Sequence, residues 1–467
     1  MRKMHGHLIT PLFVFFIMIV GASSQSISIE CWSDPQIVSP NSNAYRAILA
    51  LDENDTVHIA WKDKSNYDNT GYDYDILYRQ QRANGSCTQT EVVSRESEND
   101  SDCFFLTVEG NGIVHVVWKE KTNRVPSGGG WDIVYKKRYL NGLWTPMEVV
   151  SIESTGNCAC PIAQVDTNGV VHVIWSDGTD YMNSGDDYDL LYKQRLANGS
   201  WTKAEVITTE SIDDCNSPSM IIDDTSTIHV VWEERGTGYG TGDDYDIFYK
   251  KRLDNDVWTV SELISKESTG DSVEPSMDMD VFGTIHVAWV DHTIYKGTRG
   301  NYNIFYSQKP AKGIWSVIDV VSKESKRDCN FPCLAVDFIG NVYFTWKDET
   351  NYSNSGKDAD IFYKERFVNG TWTITELVSG ESSDDSNWPW MVIDSNRLAH
   401  ISWWDNIKNS GWTVLYKMRV CQDGPLEPIR EDKQDLQATV IVYVMGIVLV
   451  LLIVCIILVL KRKRRTI

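Results

Sequence analysis

The chain has 467 residues, of which 65 are acidic and 44 basic, for a formal charge of −21. Two basic residues precede the first apolar run and five follow the last one, so the stretch between them carries 37 basic against 65 acidic residues, a formal −28. Such a surface repels phosphate backbones, which excludes nucleic acid as a partner and favours cations or basic surfaces.

The chain opens on Arg2-Lys3, an apolar run from Leu8 to Val20, and the small residues Gly21-Ala22-Ser23-Ser24. This is the pattern of a secretory signal over residues 1–24. Six glycosylation sequons, starting at Asn54, Asn84, Asn99, Asn198, Asn351 and Asn369, fit an exported surface. The stretch "SISIECWSDPQIVSP" follows at residues 26–40. It reads as one strand around Trp32 and Ile37-Val38-Ser39, with nothing before it to pair with.

Trp61, Trp118, Trp175, Trp232, Trp289, Trp346 and Trp403 then stand 57 residues apart without a slip. A period of this size marks a propeller, solenoid or array. The unit over 217–268 holds four strands, a to d: "SMIID", "TIHVVWE", "YDIFYKKR" and "WTVSELIS". Val, Ile, Tyr and Trp dominate them, and Gly, Asp and Asn separate them. Four strands in each of seven units predict an all-β, seven-bladed β-propeller over residues 25–421. The c–d turns carry Asn-Gly, as in "RLANGSW", which predicts a type I′ hairpin. A strand-d Trp recurs at 144, 201, 258, 315 and 372, with Cys87 in its place in the first unit.

The seventh unit ends at "WTVLYKMRV" and Cys421, with no strand d. The opening strand supplies it and closes the ring, which removes the free edges. Cys421 stands where other units begin the c–d turn and Cys31 where they end it. A Cys31–Cys421 disulfide would replace that turn and stabilise by ~5 kcal/mol in the chain-entropy model. A stalk over 422–437 leads to Ala438–Leu460, 23 residues without a charge. At ~1.5 Å per residue they span a bilayer. The basic tail 461–467 predicts a single-pass protein of the cell membrane, N-terminus outside and C-terminus cytoplasmic.

The unit "G-x-V-H-V-x-W-x-D", then "D-I-x-Y-K", then "N-G-x-W-T" resembles the repeats of sialidase-like propellers, the BNR or Asp-box type. The resemblance covers roughly residues 26–421 and implies the fold. The family's box at the c–d turn is S-x-D-x-G-x-T-W, whereas "ANGSW" and "VNGTW" are a residue shorter and lack the Asp. Sialidases of the family also carry three arginines for the substrate carboxylate, an R-I-P stretch, a Tyr–Glu nucleophile pair and an Asp acid. R-I-P is absent here, and Arg46, at the head of the first strand a, has no two arginine counterparts in other units. The implied protein is a propeller without the sialidase catalytic set.

His58, His115, His172, His229, His286 and His400 lie three before the repeat Trp, with Tyr343 in the sixth unit. Strand b does not line the axis, so sevenfold symmetry keeps them too far apart for a common zinc. Hydrogen bonds between blades are expected of them. The acidic residue nine before each Trp, such as Asp52 or Glu109, should begin an Asx-type a–b turn. Three b–c loops repeat one spacing of oxygen donors: Asp63, Asp73 and Asp75; Asp177, Asp187 and Asp189; Asp348, Asp358 and Asp360, with Asn and Gly between. Two readings stand for them, a calcium site and solvated loops whose last Asp ties down strand c. Strand d ends in "S-x-E-S" with Glu96, Glu153, Glu210, Glu267, Glu324 and Glu381, and Trp388 and Trp390 lie in the last d–a loop. The b–c and d–a loops share one face, which is either solvated surface or the binding face. Cys103, Cys158, Cys160, Cys215, Cys329 and Cys333 gather there as staples of the d–a loops with pairing open, while Cys87 stays unpaired. The functional reading is a surface propeller for extracellular recognition or adhesion, with a glycan or protein ligand and no certain cofactor beyond possible calcium. A sialidase-like glycoside hydrolase is the alternative.

Overall fold

The computed structural model describes residues 31–39, 43–97, 99–121, 130–236, 242–253, 255–298, 300–407 and 411–420. They form seven four-stranded antiparallel sheets, the blades of a propeller. Six blades take strands a to d from one unit in chain order. In blade 1 these are Ala44–Leu51, Val57–Asp63, Asp75–Gln81 and Glu91–Val92. The seventh pairs Ser386–Ile393, Ala399–Ile407 and Gly411–Met418 with Gln36–Ile37 as its outer strand.

The opening strand is therefore the missing strand d. Ser33 N donates to Met418 O at 2.9 Å and Val38 N to Val414 O at 2.8 Å. The Trp32 indole donates to Glu376 of blade 6 at 3.0 Å. Trp144 and Trp201 make the same bond to Glu91 and Glu148 of the preceding blade, at 2.7 and 2.8 Å. Val420 N donates to Cys31 O at 2.7 Å, so the two ends run side by side. Cys421, and with it the expected Cys31–Cys421 bond, lies outside the described residues, as do the signal, stalk, membrane segment and tail. Among the described residues no helix is long and apolar enough to cross a membrane.

The hydrophobic core sits between blades. Ile48, Ala60 and Tyr78 of blade 1 pack on Phe104, Val116 and Trp118 of blade 2, and Val38 and Val414 close the last seam against Trp61. The repeat Trp residues are fully buried. Their indole N–H, costly to bury unpaired, is satisfied by the acid two residues on, as in Trp118 to Glu120 at 2.7 Å and Trp175 to Asp177 at 2.8 Å.

Two local expectations are corrected. The Asn-Gly turn is not type I′, which needs two positive φ values. Only Gly85 has one, at 80°, and Gly85 N donates to Arg82 O at 2.8 Å. This is a type I turn closed by a glycine bulge. The histidines bond within a blade and not between blades: His58 Nδ1 meets Tyr78 Oη on strand c at 2.7 Å, and His115 Nε2 meets Glu109 at 3.0 Å. Burial lowers the pKa of His58, His115, His172 and His229, that of His172 to about 4, which favours neutral rings there. The a–b turn behaves as expected, with Asp52 Oδ1 accepting from Asn54 N and Thr56 N at 2.9 Å each.

Candidate binding site at the channel mouth

Strand a of every blade slips register near its start through a β-bulge. The bulged residues are Arg46, Cys103, Cys160, Ser217, Glu274, Phe331 and Trp388, each fifteen before its repeat Trp. All seven have positive φ, from 34° at Arg46 to 55° at Glu274. For a residue with a Cβ this conformation costs roughly 1–2 kcal/mol. A bulge re-aims a side chain, and strained backbone concentrates at functional sites. All seven residues line one end of a cavity of about 730 Å³ that runs along the strands a as far as Leu51, Val108, Val336 and Ile393.

The ring is chemically uneven. Phe331 and Trp388 stack with centroids 4.2 Å apart and planes 15° from parallel. Trp388 is 37% exposed. Next to it the Arg46 guanidinium lies 5.4 Å from the Trp388 ring and 5.9 Å from that of Phe104. One of its nitrogens sits 3.7 Å from Cys103 Sγ, and its buried Nε has no partner. Four blades on, Glu274 Oε2 accepts from Phe331 N at 2.7 Å, while Glu274 N donates to Glu233 at 2.7 Å. Deeper in the channel Trp390 donates to Leu49 O at 3.0 Å and meets Phe105 edge-on. Asp278 accepts from Val336 N at 2.7 Å.

Burial pushes Glu274 from 4.5 up to about 7, with Glu233 adding to it, and Asp278 from 3.8 up to about 6. The folded chain thus keeps a proton on Glu274 that the unfolded chain releases above pH 4.5. The stability tied to this proton is full below pH 4.5 and is lost as pH rises to about 7. Glu274→Gln, neutral at every pH, should raise the melting temperature over the parent more at pH 8 than at pH 5. Thermal melts at both pH values check this, and an equal difference would refute the burial of this carboxyl.

The predicted face residues divide. Glu96, Glu153, Glu210, Glu324 and Glu381 each meet a strand-c lysine of the next blade: Lys136 at 2.7 Å, Lys193 at 2.5 Å, Lys250 at 2.7 Å, Lys364 at 2.9 Å and Lys417 at 2.5 Å. The same lysines also donate to the preceding blade's backbone, as Lys136 does to Val93 O at 3.0 Å. These pairs tie blades together, and the lysines offset the charge of these five glutamates. Ser307 stands where the other blades have the lysine, and Glu267 lies by Tyr295 instead. Trp388 and Trp390 belong to strand a and not to a d–a loop.

The cysteines likewise lie on strands a, and none of the six is bonded to another. Cys158 and Cys329 replace the serine of other blades. Ser101 donates to Glu120 at 2.8 Å, and the two thiols donate to Asp177 at 3.4 Å and Asp348 at 3.3 Å. Cys87 is exposed and pairs with Gln81 as Trp144 does with Arg138.

In the three oxygen-rich loops, Asp63, Asp177 and Asp348 accept from the repeat Trp and from the backbone N–H two residues on. Asp75, Asp189 and Asp360 accept from Ser94, Thr208 and Ser379 at 2.7, 2.8 and 2.8 Å, tying strand c to strand d. Their Oδ2 atoms are buried without partners, and burial pushes Asp360 up to about 6. Asp73, Asp187 and Asp358 pack their carboxylates against Gly71, Gly185 and Gly356, where a Cβ would collide. Among the described residues no three His, Cys, Asp or Glu side chains converge on a metal position. A calcium ion here would meet the orphaned Oδ2 atoms and draw most of its six to eight oxygens from backbone carbonyls and water.

Of the bulge ring, the sequence singles out Arg46, Cys103, Cys160 and Trp388, each for a different reason, and leaves out Ser217, Glu274 and Phe331. The ring's period is visible, but its residue types change from blade to blade.

No family model and no curated protein matches the chain. Solved structures do. An ulvan lyase, a polysaccharide lyase solved with a bound sulfated GlcA–rhamnose saccharide, is 13% identical with a TM-score of 0.54 over 80% of this chain and 94% of its own. An α-L-arabinanase of Penicillium chrysogenum in complex with arabinobiose is 11% identical, TM-score 0.45, over 68% of this chain and 93% of its own. Trypanosoma rangeli sialidase in complex with sialic acid is 12% identical, TM-score 0.40, over 73% of this chain and 56% of its own. The chain is similar in fold to the polysaccharide lyase.

Proposed function

We propose that this chain is a single-pass cell-surface protein, N-terminus outside, that binds an extracellular glycan in the mouth of its propeller channel. The carrying observation is the bulge ring, seven strained positions that aim an aromatic shelf, one arginine and one carboxyl into a single cavity. Its volume of about 730 Å³ is within the ~300–1,000 Å³ of ligand sites. The partly exposed Trp388 offers aromatic surface to a sugar ring, and Arg46 offers donors for an anionic group on it. The polysaccharide lyase of the same fold holds its saccharide as a bound ligand, which supports the class of partner.

A hydrolase reading draws on Glu274, because a carboxyl held at about 7 suits general acid catalysis. The ring holds one arginine where the resembled sialidases use three, which supports recognition without sialidase turnover. A glycan array with the purified protein tests the proposal. Arg46→Ala and Trp388→Ala should each weaken binding to the best glycan by about tenfold or more without lowering the melting temperature. A fluorogenic sialoside should give no turnover above blank. Unchanged binding in both variants would remove the mouth as the site, and clear turnover would favour the hydrolase.

A further inference from the structure

Six cysteines lie on the strands a, and only two of them meet. Cys103 and Cys160 occupy the bulge position of blades 2 and 3, neighbours around the channel, with φ of 42° and 46°. Both line the channel cavity at the same bulge position of adjoining blades, where neighbouring bulge side chains touch, as Phe331 and Trp388 do. The others are engaged separately: Cys158 with Asp177, Cys215 with Ser211, Cys329 with Asp348 and Cys333 with Met391 N. We propose that Cys103 and Cys160 are an oxidisable pair whose disulfide joins blades 2 and 3 and releases Arg46 for an anionic ligand. The second half rests on the mouth being the glycan site.

The chemistry follows from the neighbours. The neighbouring Cys160 thiol and the charge of Arg46, against the cost of burial, hold Cys103 below the usual thiol range, while Cys160 is pushed up. Cys103 is thus the attacking thiolate. It displaces one thiol from an external disulfide, such as the glutathione disulfide of the secretory route, and forms a mixed disulfide. Cys160 loses its proton and attacks Cys103 Sγ, releasing the second thiol. Starting from a thiolate and a thiol, the pair loses two electrons and one proton, and with one further proton from water the external disulfide becomes two thiols. In the reduced state an Arg46 nitrogen lies 3.7 Å from Cys103 Sγ, so this thiol, once ionised, competes for the guanidinium charge. In the oxidised state both sulfurs are neutral, and Arg46 keeps its full charge for the cavity.

The full-length chain, purified from an oxidising secretory route in detergent, is alkylated without reduction and mapped. A peptide cross-linked between residues 103 and 160 is expected. Alkylation of both cysteines would overturn the pair. Cys103→Ser, which retains a small polar side chain, should leave Cys160 open to alkylation, and a Cys160 still blocked would also overturn it. Glucuronate is then titrated against tryptophan fluorescence before and after dithiothreitol. Affinity about tenfold lower after reduction supports the switch, and equal affinity refutes it. A bonded pair with no glucuronate response in either state keeps the disulfide and overturns the glycan reading of the mouth.

Discussion

Removal of residues 31–39 is expected to abolish secretion of the folded propeller. Those nine residues supply the outer strand of blade 7 and reach blade 6 through Trp32, which meets Tyr363 edge-on and donates to Glu376. Val38 is 1% exposed, and Ser39 Oγ lies 2.8 Å from Thr413 Oγ1 in the buried seam. Losing a buried Val alone costs ~1.5–3 kcal/mol. Removing Trp32 as well opens the Arg419 network, where Glu365 at 2.9 Å and Glu376 at 2.8 Å hold the guanidinium. Set against a net stability of ~5–15 kcal/mol, the sum is ruinous, and the bare edge of Gly411–Met418 invites aggregation. Secretion yield and a thermal melt decide it. A truncated protein secreted with an unchanged melting temperature would show that the ring closes some other way.

Trp232→Ala, like the same change at any repeat Trp, should cost about 3–5 kcal/mol. The indole is fully buried and stacks on Phe248 with centroids 5.9 Å apart, and it donates to Glu234 at 2.9 Å. Alanine leaves a cavity in the cluster shared by blades 3 and 4, and it strips a partner from a carboxylate that burial already holds above its usual pKa. Trp201→Ala, at a half-buried strand-d position, should cost less. Denaturant midpoints of the two variants rank the sites, and a smaller loss at Trp232 would contradict the placement of the core.

The architecture was legible because the signals that build it repeat. A Trp every 57 residues, an Asn-Gly turn and one unit lacking a strand are enough to count blades and to pair Trp32 with the last one. The site was harder to read for a physical reason. In a closed ring, what every blade repeats is what every blade needs to hold its neighbour. Glu96 and its counterparts repeat because Lys136 and its counterparts need them. The residues that differ, from Arg46 through Glu274 to Trp388, share only a bulge, and a bulge on a residue other than glycine has no sequence signature. The turn type was misjudged on the same footing. Asn-Gly permits two positive φ values, but the strands used only Gly85 and left Asn84 to accept from Ser86 N at 3.0 Å.

The central claim is that ligand enters the ring of bulged residues and not the oxygen-rich loops around it. A photo-reactive derivative of the best array glycan, cross-linked to the intact protein and mapped by mass spectrometry, tests this directly. Adducts at Arg46, Phe331 or Trp388 are predicted, with labelling competed away by the unmodified glycan. Competable adducts confined to the b–c loops, around residues 66–73 or 180–187, would contradict the account.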